Sequence, residues 1–300
     1  MNEDKRQFFR SRVIDALDNS IRTCHSLAER NVLFAKKAFT LARHSKIAEA
    51  KEIIRALREL NKTFETRLSA WIMFAEGIIE YSETLDIPKS KDRVLRGHLV
   101  GQVANDPSLA GTSAAWLAFF CFQQSRFVEA KDYLGMALSW TKESDTEARA
   151  RAYMVVGMGF FYAGDRVKGK LWMHRARQPA VLSGDIAMQN IIFCNTAAYL
   201  VAQLVLIDCV STVSAEDLSF ASLSSQSAGN LNAALGIANQ GTIIPLQRAD
   251  IFTIEKRWAE AIDLFNKYIE LAQMDGLATS LPKFLAQRAW CKANLNDKAG

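Results

Sequence analysis

The side chains that most often do chemistry are sparse in this chain of 300 residues and form no reactive pattern. The sequence has no phosphate-binding glycine loop, His-Glu-x-x-His motif, zinc-spaced cysteine pairs or Gly-x-Ser-x-Gly turn. The four histidines are far apart, as expected for solvated or helix-end residues. We therefore predict no catalytic residue, no metal site and no cofactor. The histidines concerned are His25, His44, His98 and His174.

One segment, between Arg149 and Arg177, is locally basic. Its cations could bind an anion or an acidic peptide, or they could form a solvated helical face. The formal charge of +5 is small for this length and the cations are spread along the chain, which argues against nucleic acid as a partner. The candidate anion patch consists of Arg149, Arg151, Arg166 and Lys170.

Small residues recur at fixed spacings and indicate the elements that carry these side chains. Each of four small anchor residues is followed four positions later by a bulky residue and preceded twelve positions earlier by a second small residue. Such spacing marks one face of a helix, and facing small residues let antiparallel helices approach closely. The sequence therefore predicts repeated helical hairpins and an all-α fold. The anchor pairs are Ala38 with Ala50, Ala118 with Ala130, Gly157 with Gly169, and Ala249 with Ala261.

The pattern small-x2-aromatic in the first helix and Ala-x3-aromatic-x2-Ala in the second resembles the tetratricopeptide repeat (TPR). The resemblance implies a TPR-like α-α superhelix, a solenoid of antiparallel helical hairpins. It would form one domain over residues 1–300 with about six to seven hairpins. The spacing of the copies is about forty residues, longer than the standard thirty-four, and two segments are poorer copies. These are Thr66 to Asn105 and Asp185 to Gln240.

Turn residues agree with this repeat. Gly164-Asp165 and Asn296-Asp297 are predicted to join the two helices of a hairpin, since glycine or asparagine ends helices and aspartate caps the next one. Pro179 is predicted to end a second helix. Pro245 and Pro282 are predicted to lie in the first turns of new helices.

The TPR resemblance also implies a binding surface. In that family the first helices line a concave groove, and the corresponding side chains here are apolar or aromatic. Such a groove could hold an amphipathic helix, an apolar small molecule or a helix of the chain itself. The alternative is that these side chains are ordinary core. The candidate groove residues are Phe39, Phe119, Phe122, Met158 and Phe161.

Two functions follow from these resemblances, an interaction or regulatory module and the sensory part of a larger signalling protein. The first is a protein-interaction scaffold or regulatory input module. The run from Cys194 to Gly276 is similar to repeat regions that precede GGDEF-type diguanylate cyclase domains, which implies the sensory part of a cytoplasmic bacterial signalling protein. The alternatives are a stand-alone TPR adaptor and, more remotely, an all-helical enzyme. We expect a protein or peptide partner, which could be the protein's own output domain, and self-association remains open.

Two segments bear on where the chain ends and on whether it enters a membrane. Leu281 to Gly300 predicts a first helix and only the opening of a second, so we expect Gly300 not to be the natural C-terminus; a frayed tail is the alternative.

Ile191 to Val210 is long enough to span a bilayer, but its Asn195, Gln203 and Asp208 favour a buried core helix. Widely spaced cysteines and the absence of a secretory signal favour the cytoplasm.

Overall fold

The computed structural model describes residues 11–62, 64–236, 241–274 and 280–297, and this part of the chain consists of α-helices and short connections without strands. The predicted all-α class is confirmed. The fourteen helices of the described ranges are α1 Arg12–Thr23, α2 Leu27–Arg43, α3 Ile47–Leu60, α4 Thr66–Thr84, α5 Ile87–Val103, α6 Pro107–Gln123, α7 Phe127–Trp140, α8 Thr146–Tyr162, α9 Arg166–Ser183, α10 Ile186–Asp208, α11 Ala215–Leu235, α12 Ile243–Ile254, α13 Trp258–Met274 and α14 Leu281–Asp297.

The helices group into two compact units. Unit 1 comprises Met1–Gly159 and Leu171–Gln189, and unit 2 comprises Phe160–Lys170 and Asn190–Gly300. The division passes through α8, α9 and α10. The single domain expected from the repeat stays a prediction.

The anchor residues lie where pairs of helices pack. Ala38, Ala50, Ala118 and Ala130 are buried in unit 1, and Ala249 and Ala261 are buried in unit 2. Gly157 shows why the position must be small, because a Cβ atom there would lie 3.2 Å from the backbone nitrogen of Met173. The sequence thus locates helices that approach closely at their small residues.

Six connections between the described helices share one turn geometry. In each, a residue with positive φ follows the helix, and the N–H of the next residue donates to the carbonyl five positions earlier, as in Lys46 to Leu41 at 2.9 Å. This is the Schellman motif, which satisfies carbonyls left open at a helix end. The six positive-φ residues are Ser45, Asn105, Ser125, Gly164, Gly184 and Lys256.

Three of these turns continue directly into a capped helix. Asp106, Asp165 and Asp185 follow the positive-φ residue, and each accepts a hydrogen bond from the backbone N–H three residues later, at 2.9 to 3.0 Å. In each of these turns, the aspartate is the last residue of the connection and the N-cap of the next helix. The turn predicted at Gly164-Asp165 is confirmed.

Two predicted helix ends are wrong. Pro179 does not end its helix, since α9 continues to Ser183, whose hydroxyl donates to the Pro179 carbonyl at 3.0 Å. Asn296 and Asp297 are still helical at the end of α14, and residues 298–300 lie outside the described ranges. Pro282 is the second residue of α14 and Pro245 the third of α12, so the first-turn placement of both prolines is confirmed.

Helix α10 contains the stretch that is long enough for a membrane span. Among the described helices it alone meets the length and composition required, with a mean hydropathy of 1.8 over its most apolar window. Half of that window is buried, and Leu200, Val201 and Leu204 are completely enclosed. Burial of this kind is common for a core helix of a helical protein.

Candidate functional site

The five candidate groove residues are all buried, which corrects the expectation of an open aromatic groove at these positions. Their exposed fractions run from 0% for Met158 and Phe161 to 7% for Phe122. Phe39 packs against Phe74 and Trp116, with ring centroids 5.0 and 6.3 Å apart. Phe119 lies 6.0 Å from the Trp116 ring. These side chains are core, so a ligand could reach them only by displacing neighbouring rings.

The candidate anion patch is not a set of free cations. Arg151 is buried and bonded to Glu147 at 2.8 Å, while Arg149 donates to the hydroxyl of Tyr153 at 2.5 Å. In unit 2, Arg166 and Lys170 form ion pairs with carboxylates at the start of α11, at 2.8 to 2.9 Å. Three of the four cations are thus neutralised by the protein itself. The carboxylates that pair with Arg166 and Lys170 are Glu216 and Asp217.

A buried charge network lies among the aromatic rings of unit 1. Arg43 at the end of α2 is hydrogen-bonded to Asp185 at the start of α10, and its guanidinium carbon lies 4.8 Å from the Phe39 ring centroid. Arg151 of α8 stacks 3.4 Å above Trp116. Hydrogen bonds from Ser11 and Arg12 to carbonyls at 184 and 181 close the same junction. Residues more than 140 positions apart in sequence therefore meet here.

The network is balanced in charge but incompletely hydrogen-bonded. Burial opposes the charge of Asp185, yet the adjacent Arg43 guanidinium holds the pKa of this carboxyl below its ordinary value. Burial lowers the pKa of His44, which favours the neutral ring, although Asp185 lies 3.8 Å from its Nε2. Within the described chain, Arg43 Nε, Glu147 Oε2 and Trp116 Nε1 have no hydrogen-bond partner. Such groups make the network expensive to bury and sensitive to the loss of one partner.

Histidines and cysteines do not assemble into a reactive centre in the described residues. They include no cluster of three or more His, Cys, Asp or Glu side chains suited to a metal ion. Burial raises the pKa of Cys194 to about 12, so its thiol stays protonated and unreactive. Burial also lowers the pKa of His98, whose Nδ1 lies 2.8 Å from the Ser113 hydroxyl.

An open groove lies in unit 2, between α11 and α12, and it is the candidate binding site. It has a volume of about 790 Å³, within the range of ligand-binding clefts. We call it the α11–α12 groove. Its lining residues are Ser222, Ser225, Gln226, Gly229, Asn230, Asn232, Ala233 and Gly236 on one side, and Gly241, Ile244, Pro245, Arg248, Ile251, Phe252 and Arg257 on the other.

The described residues that line the α11–α12 groove include two arginines and no carboxylate. Arg257 stacks 3.9 Å from the Phe252 ring centroid and is paired with Glu255 and Glu260. Arg248 is exposed and lies 5.8 Å from the same ring, and no carboxylate pairs with it in the described chain. Arg248 is therefore the cation that remains available to a ligand.

The α11 wall is polar without being charged. From Leu218 to Leu235 the helix contains no charged residue, and Gln226 and Asn230 face solvent. Amide side chains both donate and accept hydrogen bonds, which matches the main chain of a peptide. At the base, the buried Ser225 hydroxyl has no hydrogen-bond partner among the described residues. The uncharged run in α11 is a sequence signal for this surface, but the segment lacks the repeat anchors, so the repeat pattern alone does not reveal it.

No family model matches this chain, and a search of the curated proteins finds no significant match either.

Proposed function

We propose that this protein is a non-catalytic protein-interaction module with a TPR-like arrangement of helical hairpins. The recurring Schellman turns and the buried small residues of the four anchored hairpins support this arrangement. Such helical pairs present surfaces for partners without requiring reactive side chains. The recognition surface in this proposal is the α11–α12 groove, instead of the aromatic residues first considered.

The observation that carries the proposal is the groove itself. It is open, about 790 Å³ in volume, and lined by solvent-facing amides and one uncompensated arginine. The α11 wall from Ser222 to Ala233 extends about 16 Å at 1.5 Å per residue. That length suits about five residues of extended peptide. A short segment of a partner protein is the ligand that fits these dimensions.

The proposal includes a regulatory role in a cytoplasmic bacterial signalling protein, where a partner or an attached output domain would respond to binding. All five cysteines are free thiols, which supports a reducing compartment. The similarity of the segment from Cys194 to Gly276 to repeat regions ahead of cyclase domains supports the input role.

Site-specific photo-crosslinking tests the interaction function. The amino acid p-benzoylphenylalanine would replace Ala233 in the groove or, as a control, the exposed Val103 on α5. In the cells that normally contain the protein, we expect a discrete adduct from position 233 that is absent from position 103. The adduct should disappear when Arg248→Glu is added. The same adducts from both positions, or no adduct from position 233, would contradict the proposal.

A further inference from the structure

We propose that the α11–α12 groove binds an acidic peptide segment, whose carboxylate pairs with Arg248 while its main chain bonds to the amides of α11. This inference rests on the proposed function and names the chemistry of the partner. It goes beyond that function because a TPR-like module could as well bind an apolar or a basic segment.

The charges of the groove indicate that the ligand is acidic. The described lining of the groove contains two arginines and no carboxylate, and Arg257 already has two glutamate partners. No carboxylate pairs with Arg248 in the described chain, and its guanidinium carbon lies 5.8 Å from the Phe252 ring centroid. An exposed arginine without a carboxylate partner, across from an uncharged wall, keeps its planar set of N–H donors available to both oxygens of a carboxylate. A basic segment would be repelled by the same residue.

The amides of the α11 wall indicate that the ligand is a peptide. Gln226 and Asn230 lie four positions apart on one helix, so their amides project from the same face. Neither amide is hydrogen-bonded within the described chain. Amides in a row can bond to peptide N–H and C=O groups whatever the peptide side chains are. The wall therefore contributes affinity for a main chain, and Arg248 contributes selectivity for acidic residues.

The Ser225 hydroxyl is a second polar group of the groove lining that is available to a ligand. Its hydroxyl is buried and makes no hydrogen bond in the described chain. Buried hydroxyls in folded proteins nearly always have a partner, and an exception calls for an explanation. A polar group of the bound peptide, reaching the floor directly or through one water molecule, would satisfy this hydroxyl.

The test is a selection of random octapeptides displayed on phage against the full chain. We expect the recovered peptides to contain Asp or Glu at one position at least three times as often as the starting library. Arg248→Glu should weaken their binding at least tenfold. Lys267→Glu, which makes the same charge change on the exposed face of α13, should leave it within twofold.

Ser225→Ala distinguishes a ligand-binding role from a structural one. Removing the hydroxyl should weaken the selected peptides about threefold while leaving the melting temperature unchanged or higher, because no hydrogen bond of the folded chain is lost. A lower melting temperature together with unchanged binding would show that Ser225 serves the fold.

The outcomes separate the ligand chemistry from the function. Recovery of neutral or basic peptides whose binding still requires groove residues would overturn the acidic preference and leave the interaction function intact. Recovery of no peptide that depends on the groove, together with no adduct from position 233, would contradict both.

Discussion

At the scale of single residues, unit 1 depends on charges that are almost completely removed from water. Asp185 is 2% exposed, and it bonds to Arg43 and caps α10 through the N–H of Met188. A buried ion pair gains little over an apolar pair, but removal of one partner leaves the other charge uncompensated. The sequence could not reveal this pair, since Arg43 and Asp185 are 142 positions apart.

Asp185→Asn tests the importance of the network. We expect it to lower the free energy of unfolding by about 3 to 5 kcal/mol, because Arg43 would stay buried without the nearer of its two carboxylate partners. Urea denaturation measures the change. Asp92→Asn is the matched control, since it breaks an exposed pair with Arg96 and should cost at most about 1 kcal/mol. Equal effects of the two substitutions would refute the structural role of the network.

The pH dependence of stability follows from His44. Burial lowers the pKa of His44 from its ordinary value of 6.5, so the folded state holds the ring neutral while the unfolded state takes up a proton. This contribution to stability is present above pH 6.5 and is lost as the pH falls toward the folded-state pKa. His98, whose pKa is also lowered by burial, acts in the same direction. Asp185 adds a further loss only below its ordinary value of 3.8.

Denaturation at several pH values measures the His44 effect. We expect His44→Gln to show a shallower loss of unfolding free energy between pH 7 and 5 than the unaltered protein. His174→Gln, at an exposed position, is the control. If His44→Gln and the unaltered protein lose the same free energy over this range, His44 does not cause the dependence.

At the scale of helices, small residues determine how closely elements approach. Gly97 of α5 lies against α4, and a Cβ atom there would come within 2.8 Å of the backbone nitrogen of Phe74. Gly135 of α7 faces open space. The same residue type therefore has opposite consequences at two helical positions.

Paired glycine substitutions measure this difference. Gly97→Ala should destabilise the protein by about 1 to 3 kcal/mol, because the backbone of α4 would have to move. Gly135→Ala should stabilise it by about 0.5 to 1 kcal/mol, since alanine favours the helix and meets no neighbour. Thermal unfolding monitored by circular dichroism measures the change in stability of each variant. Destabilisation by both substitutions would contradict the packing described.

The sequence predicted helices and turns better than the burial of the side chains that they carry. Gly164-Asp165 identified a turn because the positive-φ position and the helix cap are adjacent, and the same signal at Gly184-Asp185 could have identified another. Asn105, Ser125 and Lys256 adopt the same geometry without glycine, so composition alone misses them. Phe119 lies on α6. The sequence left open whether its ring belongs to a groove or to the core, because rings from α2, α4 and α6 meet only in the folded chain.

At the scale of the whole molecule, unit 1 differs from an array in which each repeat contacts only its neighbours. Ser11, Arg12 and Arg43 contact residues 181–185 of the same unit. Such contacts join the first helices to the last ones of the unit, so these parts should open together.

Hydrogen exchange measures this coupling. In Asp185→Asn we expect faster exchange both near residue 185 and throughout α2, because Arg43 at the end of that helix loses its partner. Asp92→Asn should leave the exchange of α2 unchanged. Faster exchange confined to residues 180–190 would show that the two parts open independently.

We propose that the α11–α12 groove is the recognition surface, while the aromatic residues Phe39 and Phe119 are core. The most direct measurement compares Arg248→Glu with Phe119→Asp by circular dichroism and by crosslinking from position 233. We expect Arg248→Glu to fold normally and lose the adduct, and Phe119→Asp to unfold because it places a charge among buried rings. A folded Phe119→Asp protein that loses its partner, with Arg248→Glu unaffected, would contradict the claim.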